Sequence, residues 1–185
     1  MAKVAAAMRT HPLAGRKVAK KAVKIGPAEP AARLSLRAGE EAIASLSRAL
    51  GVKLPTTPKS SAANKSGSRV ALWLGPDEWL VIDTGGGDPV ADCARAKAPH
   101  SAVDVSHRNT GILVEGAGAE DVLSAGCPQD LSLAAYPVGA CSRTVLGKIE
   151  AVLLRTGDEA FRVECWRSFS TYAFDLLEEA ARSEA

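Results

Sequence analysis

A chain of 185 residues, 46% hydrophobic and 24% charged, has the size and composition of one globular domain. This composition excludes a disordered or fibrous protein, and the longest apolar runs, such as 70–74 and 151–154, are far below the roughly 18 residues of a membrane span. The basic N-terminus is not followed by an apolar stretch with a cleavage site, so we expect a soluble, cytoplasmic protein with no membrane partner.

The net charge of +2 is unevenly distributed. Residues 1–24 contain seven basic side chains and no acidic one. Residues 25–185 therefore have a net charge of −5. Proline and glycine interrupt residues 1–30 without a helical or strand period, which predicts a basic, flexible N-terminal arm. The arm has no aromatic residue for base stacking and the body is acidic, so we expect no nucleic-acid partner and interpret the arm as one that docks on an acidic subunit.

Residues 31–185 are predicted to form a single α+β domain. Its first elements are a strand, a helix, a hairpin and a short helix, at 31–37, 39–50, 69–74 with 78–84, and 88–97. Gly51 stands where a helix C-cap is expected, and Asp88 stands where an N-cap is expected. The residues between the first helix and the hairpin, 55–68, are rich in turn formers and predict a surface loop.

The second part of the chain repeats this pattern. Its predicted strand, helix, hairpin and helix lie at 112–115, 118–125, 145–155 with 160–165, and 169–181. The two hairpins align at a constant offset of 81 residues and share Asp-Glu at the turn, at 77–78 and 158–159. This predicts two similar βαββα halves, 31–99 and 100–185, each an antiparallel sheet with helices on one face. The alternative is a chance similarity of two apolar hairpins.

The sequence offers few groups for chemistry. Its four cysteines have no metal-ligand spacing and are expected to be buried free thiols: Cys93, Cys127, Cys141 and Cys165. The glycines at 85–87 and 116–118 lack the frame of a nucleotide-binding loop, so they predict turns and no flavin or nucleotide in this chain. We therefore expect no metal-binding and no cofactor-binding residue here.

The three histidines also give no catalytic site. His11 lies in the arm, and His100 follows Pro99 before a strand. His107 belongs to an Asp-x-Ser-His stretch starting at Asp104, for which a structural turn is the favoured interpretation because such a turn satisfies its own backbone groups. We expect no catalytic residue in this chain.

Large side chains in polar contexts are candidates for a partner interface. Interfaces are enriched in Trp, Tyr and Arg. On this basis we predict that five residues face a partner: Arg108, Tyr136, Arg143, Trp166 and Arg167. Trp73 and Trp79 have leucine neighbours on one face of the hairpin and are assigned to the core.

Five stretches together carry a family resemblance: H-P-L-A-G (11–15), W-L-G-P-D-E-W-L (73–80), V-D-V-S-H-R (103–108), G-C-P-Q-D-L (126–131) and Y-P-V-G-A-C-S-R-T (136–144). With 146–148 and 166–172 they resemble the sarcosine oxidase gamma subunit family, over nearly everything from residue 31 onward. That family is in turn similar to the folate-binding aminomethyltransferase fold. The combination is specific, although no single stretch is.

The resemblance implies a non-catalytic gamma subunit that acts in assembly and stabilisation of a heterotetramer with alpha, beta and delta subunits. Such a complex oxidises sarcosine to glycine, forms hydrogen peroxide from oxygen, and passes the methyl carbon to tetrahydrofolate. The resemblance assigns FAD, FMN, NAD, tetrahydrofolate and zinc to the partner subunits.

A stand-alone folate-binding one-carbon protein is the alternative. Glu164 and Arg143, with Trp166 nearby, could supply a carboxylate, a cation and an aromatic surface for folate. The chain nevertheless lacks the K-G-C-x-x-G-Q-E stretch of folate-dependent relatives and their catalytic Asn-Asp pair. A third alternative, an RNA-interacting module, depends on the basic arm alone.

Overall fold

A computed structural model describes residues 10–183 of the chain. Within that range there are eleven strands: β1 (Val18–Ala19), β2 (Lys24–Pro27), β3 (Ala32–Ala38), β4 (Ser61–Ala63), β5 (Arg69–Gly75), β6 (Glu78–Asp83), β7 (His100–Asp104), β8 (Asn109–Glu115), β9 (Cys141–Leu146), β10 (Ile149–Gly157) and β11 (Ala160–Trp166). The helices of the same range are α1 (Ile43–Leu50), α2 (Pro89–Cys93), α3 (Ala119–Ser124) and α4 (Ser170–Ala180). Single 3-10 turns, Glu40–Ala42 and Arg167–Phe169, precede α1 and α4.

The strands form two antiparallel sheets with matching orders. One is β4-β5-β6-β3-β7 and the other is β9-β10-β11-β8-β2-β1. The prediction of an α+β fold with two similar halves is confirmed, but each repeat has one strand more than expected. β4 lies inside the segment 55–68 that was predicted as a loop, and β9 is separate from β10, where a single strand over 145–155 was predicted.

The two sheets pack face to face, with helices on their outer faces. Side chains alternate along a strand, so Trp79 and Val81 of β6 pack on the side of α1, while Leu80 and Ile82 point at the other sheet. An apolar cluster fills the space between the sheets: Leu72, Leu80, Ile82, Val105, Cys141, Val152 and Leu154. Both faces of each sheet are therefore covered.

The helix ends follow the sequence signals. Gly51 ends α1 in the left-handed conformation at φ +65°, and the Asp88 carboxylate accepts the Val90 and Ala91 N–H groups at the start of α2. The longest helix, α4, has 11 residues. Across residues 10–183, no helix has the length and apolar composition needed to cross a bilayer.

The prediction of a flexible arm over residues 1–30 is wrong from residue 10 onward. β2 pairs with β8, placing Ile25 opposite Val114, and Leu13 is completely buried. The Arg16 guanidinium lies 4.2 Å from the centre of the Phe174 ring on α4. The pairing joins segments about ninety residues apart, so no local period in the arm could reveal it. Residues 1–9 of the predicted arm lie outside the described residues.

The two halves exchange their fifth strands. β7 pairs with β3, placing Ala102 opposite Leu36, so residues 100–104 belong to the first sheet and not to the predicted half 100–185. The equivalent position beside β8 is taken by β2 from the start of the chain. The boundary predicted between residues 99 and 100 therefore falls within a single interlocked domain.

Candidate partner-binding surface

A buried charged triad lies between the two sheets. Arg33 on β3 donates from Nε and Nη2 to Glu164 Oε2 and Oε1, at 2.5 and 3.1 Å, and Arg162 donates from Nε to Oε1 at 2.8 Å. The side chains are 4%, 11% and 1% exposed for Arg33, Arg162 and Glu164. Since two guanidinium groups share one carboxylate, the triad has a net positive charge inside a layer of low dielectric.

Each member of the triad reaches a different opening of the layer between the sheets. Glu164 reaches the front cleft, which is also lined by Glu78, Arg108, Arg143, Glu150 and Trp166. Arg33 reaches a side pocket, which is also lined by His11, Ser106, His107, Thr110 and Arg167. Arg162 reaches the rear groove, which is also lined by Val70, Ile82, Val138, Gly139 and Leu154. The front cleft and the rear groove lie at opposite ends of β5, β6, β10 and β11.

A second ion pair ties the sheets together at the front cleft. Arg143 on β9 donates from Nη2 to Glu78 Oε1 at 2.5 Å and from Nη1 to Oε2 at 3.2 Å, and Arg37 Nη2 donates to Oε2 at 2.9 Å. The hydrogen bonds from Arg143 hold the pKa of the Glu78 carboxyl below its usual value. Glu78 therefore stays ionised at neutral pH and anchors two arginines.

This carboxylate should make stability depend on pH. A folded-state pKa below the usual 4.5 gives a stabilisation that is complete above pH 4.5 and is lost as the pH falls through the lowered value. We expect the free energy of unfolding to fall as the pH drops below 4.5, and to fall less steeply in Glu78→Gln. Urea denaturation across that range measures both slopes, and equal slopes would contradict this role for Glu78.

The front cleft is too small for a pterin. Its volume is about 30 Å³, whereas sites for small molecules usually enclose roughly 300–1,000 Å³. Arg143 and Trp166 do line it together with Glu164, as the folate alternative requires, but Arg143 is paired with Glu78 and Glu164 with Arg33. These residues do not fit folate, because the polar groups that would recognise it are already bound to one another.

An exposed aromatic and cationic surface surrounds the mouth of this cleft. Trp166 is 41% exposed and Phe169 39%, and their rings stack with centroids 5.8 Å apart. The Arg108 guanidinium lies 5.1 Å from the centre of the Trp166 ring, within range of a cation–π contact. Trp166 is exposed because it is the last residue of β11 and lies at the edge of the layer in which Arg162 and Glu164, on the same side of the strand, are buried. We call Arg108, Arg143, Trp166 and Phe169 the front surface.

Four of the five predicted interface residues lie on or beside the front surface. Arg108, Arg143 and Trp166 border the front cleft, and Arg167 projects toward the side pocket, where its Nη2 donates to the Thr10 carbonyl at 2.6 Å. Phe169 is an addition, because the sequence indicated it only as the first residue of the last helix. The buried face of α4 comprises Ser170, Ala173, Phe174 and Leu177.

Tyr136 was wrongly predicted to be exposed. It is 1% exposed, donates its hydroxyl to the Leu153 carbonyl at 2.8 Å, and lies 3.1 Å from the Ser142 hydroxyl. Burial raises the pKa of its phenol. A buried tyrosine needs such polar partners, and no local sequence pattern indicates that Leu153 and Ser142 supply them. Tyr136 is a core residue here.

The Asp-x-Ser-His stretch forms a structural turn, as predicted. The Asp104 carboxylate accepts the Ser106 N–H at 2.8 Å, and the Ser106 hydroxyl accepts the Arg33 N–H at 2.8 Å. These bonds fix the end of β7 to β3 beside the triad. Because these hydrogen bonds satisfy backbone N–H groups of the turn and of β3, the turn anchors one strand to the other.

His11 is ordered, contrary to its assignment to a loose arm. Its Nδ1 accepts the Leu13 N–H at 3.2 Å, and its Nε2 lies 3.0 Å from the Thr110 hydroxyl. Burial, assisted by the charges of Arg167 and Arg33, lowers the pKa of the imidazole. The neutral ring therefore pins the start of the described chain to β8.

The cysteines are buried free thiols, as predicted. Burial raises the pKa of Cys93 to about 11, and those of Cys141 and Cys165 to about 12, so these thiols remain protonated and unreactive. The described range contains no group of three His, Cys, Asp or Glu side chains placed to hold a metal ion. The buried cysteines thus act as small apolar residues.

The family model described as "Sarcosine oxidase, gamma subunit family" matches residues 37–183. The chain belongs to the sarcosine oxidase gamma subunit family. A sarcosine oxidase subunit gamma from Corynebacterium sp. strain U-96 is 33% identical over 97% of this chain and 87% of its own length. The corresponding subunit from Corynebacterium sp. strain P-1 is 32% identical over 77% of this chain and 70% of its own.

Solved structures show the same fold. A chain of the heterotetrameric sarcosine oxidase from Corynebacterium sp. U-96, in complex with pyrrole 2-carboxylate, superposes with a TM-score of 0.85 at 28% identity, over 95% of each chain. The glycine cleavage system aminomethyltransferase T from Bartonella henselae gives a TM-score of 0.64 at 11% identity, over 84% of this chain and 45% of that one. The gamma subunit family therefore shares its architecture with part of an aminomethyltransferase.

Proposed function

We propose that this chain is a gamma subunit of a heterotetrameric sarcosine oxidase and acts in the assembly and stability of that complex. The observation that carries this proposal is the superposition on a chain of a heterotetrameric sarcosine oxidase over 95% of both chains. The nearly complete coverage favours a subunit of the same kind over a domain reused in another protein.

The front surface is the proposed contact with a partner subunit. Exposed Trp166 and Phe169, with Arg108 above the indole ring, have the composition of an interface centre. The neighbouring ion pair between Arg143 and Glu78 is partly buried and supplies the polar rim. We propose the alpha, beta and delta subunits as partners and assign FAD, FMN, NAD, tetrahydrofolate and zinc to them.

The reaction of the whole complex would be the oxidative demethylation of sarcosine to glycine, with formation of hydrogen peroxide and methylene-tetrahydrofolate. We propose an indirect role for this chain in that reaction, because Arg143, Glu164 and Trp166, the residues considered for folate, line a front cleft of only about 30 Å³ and are paired with other side chains or exposed. The four buried free cysteines fit a reducing compartment, and we propose the cytoplasm.

Coexpression of the partner subunits with and without this chain tests the proposal. We expect the complex formed without it to lose subunits on size-exclusion chromatography and to contain less flavin. Wild-type activity and flavin content in that complex would refute an assembly role. Calorimetry of the purified chain with tetrahydrofolate tests the folate alternative, and binding in the low micromolar range would favour that alternative.

A further inference from the structure

We propose that the rear groove binds a small carboxylate with an apolar body, held by Arg162. The groove has a volume of about 420 Å³, within the range of small-molecule sites and many times that of the front cleft. It opens at the end of the layer between the sheets that is opposite the front surface. The inference is independent of the proposed function.

The hydrogen bonding of Arg162 points to an anion. Glu164 Oε1 already accepts from Arg33 Nη2 and from Arg162 Nε, so it is saturated. Arg162 Nη2 lies 2.7 Å from the same oxygen but has no hydrogen bond of acceptable geometry. Nη2 is shielded from solvent, and Nη1 has no hydrogen-bond partner among residues 10–183, so Nη1 is the nitrogen available to a ligand in the groove. The Arg162 side chain is only 11% exposed, and a buried guanidinium that is only partly paired is costly to keep without a further anion.

The charge around the groove favours the same ligand. Arg33 and Arg162 share the single charge of Glu164, so the triad retains one unneutralised cation. A monocarboxylate in the groove would neutralise it through charge-assisted hydrogen bonds, which gain strength in a site of low dielectric.

The lining of the groove determines the rest of the ligand. Val70 and Ile82 from one sheet and Leu154 from the other form an apolar floor, and Val138 at the rim is 51% exposed. A carboxylate that also carries a short aliphatic chain would bury that chain against this floor. A polyanion such as a phosphate ester would leave charges against apolar side chains.

Titration of the purified full-length chain with butanoate, followed by amide chemical shifts, tests the inference. We expect saturable shifts at Gly67, Ser68 and Gly139, which line the groove, and weaker binding of acetate. Butanamide, which has the same shape and no charge, should not bind. Equal responses to butanoate and butanamide would overturn the assignment.

Arg162→Gln supplies the decisive variant. It should fold, because Glu164 keeps both hydrogen bonds from Arg33, and its affinity for butanoate should fall by about tenfold or more. Lys65→Gln is the matched control, since it removes one exposed charge from the adjacent β4–β5 turn without altering the lining. Equal affinity in Arg162→Gln and the wild type would refute the site, as would an equal loss in the two variants.

Discussion

Glu164→Gln is expected to lower the free energy of unfolding by about 3–5 kcal/mol, because it leaves two buried guanidinium groups without a counter-charge. The side chain is 1% exposed and receives hydrogen bonds from both Arg33 and Arg162. A neutral amide keeps the shape of the carboxylate but cannot neutralise either cation. Urea denaturation at neutral pH measures the loss.

Two further variants make this prediction specific. Glu179→Gln breaks an exposed ion pair with Arg182, whose side chains are 68% and 66% exposed, and should cost at most about 1 kcal/mol. Adding Arg162→Gln to Glu164→Gln should recover part of the loss, since only one unpaired cation then remains. A loss below about 1 kcal/mol in Glu164→Gln would show that the triad is more hydrated than its burial indicates.

Trp166→Ala is expected to weaken binding to the partner subunits by about 30-fold, or about 2 kcal/mol, if the front surface is the interface. The indole ring stacks on Phe169 and lies under Arg108, so truncation removes the centre of the exposed aromatic surface. Because Trp166 is 41% exposed, the isolated variant should keep its fold. Calorimetric titration of the chain into the complex that lacks it measures the change.

Leu133→Ala is the control for this measurement. Leu133 is also a large exposed apolar residue, at 48% exposed, but it lies in the segment before β9 and does not line the front cleft. It should change the affinity by less than about twofold. An unchanged affinity in Trp166→Ala, or an equal loss in the two variants, would place the interface elsewhere.

The sequence was sufficient to predict those parts of the fold that depend on neighbouring residues. The β5–β6 and β10–β11 hairpins, the Asp88 cap and the Gly51 cap all follow from short-range patterns. The short strands β2, β4 and β7 were missed or misassigned. β2 and β7 are defined by their pairing with distant strands, whereas β4 pairs with the nearby β5 but lies among turn-forming residues. Three to five residues are too few to display a period of their own.

The charged triad could not be predicted from the sequence for a different reason. Arg33, Arg162 and Glu164 occupy the polar positions of alternating strands, a pattern that normally marks a solvent-facing side. Here the polar sides of β3 and β11 face each other across the layer between the sheets, so these residues are buried against each other. The exposure of Trp166 could be anticipated from its position at a strand end, whereas Tyr136 shows that residue type alone does not determine exposure.

The exchange of strands between the two sheets has a consequence for biosynthesis. β2 emerges from the ribosome about ninety residues before β8, with which it pairs. A segment that is synthesised early is therefore among the last to reach its native position. Until β8 is synthesised, the hydrophobic residues of β2 lack their final packing partners. A nascent chain stalled before residue 109 would leave them exposed. Dividing the gene between the two sheets would give fragments that each lack a strand supplied by the other.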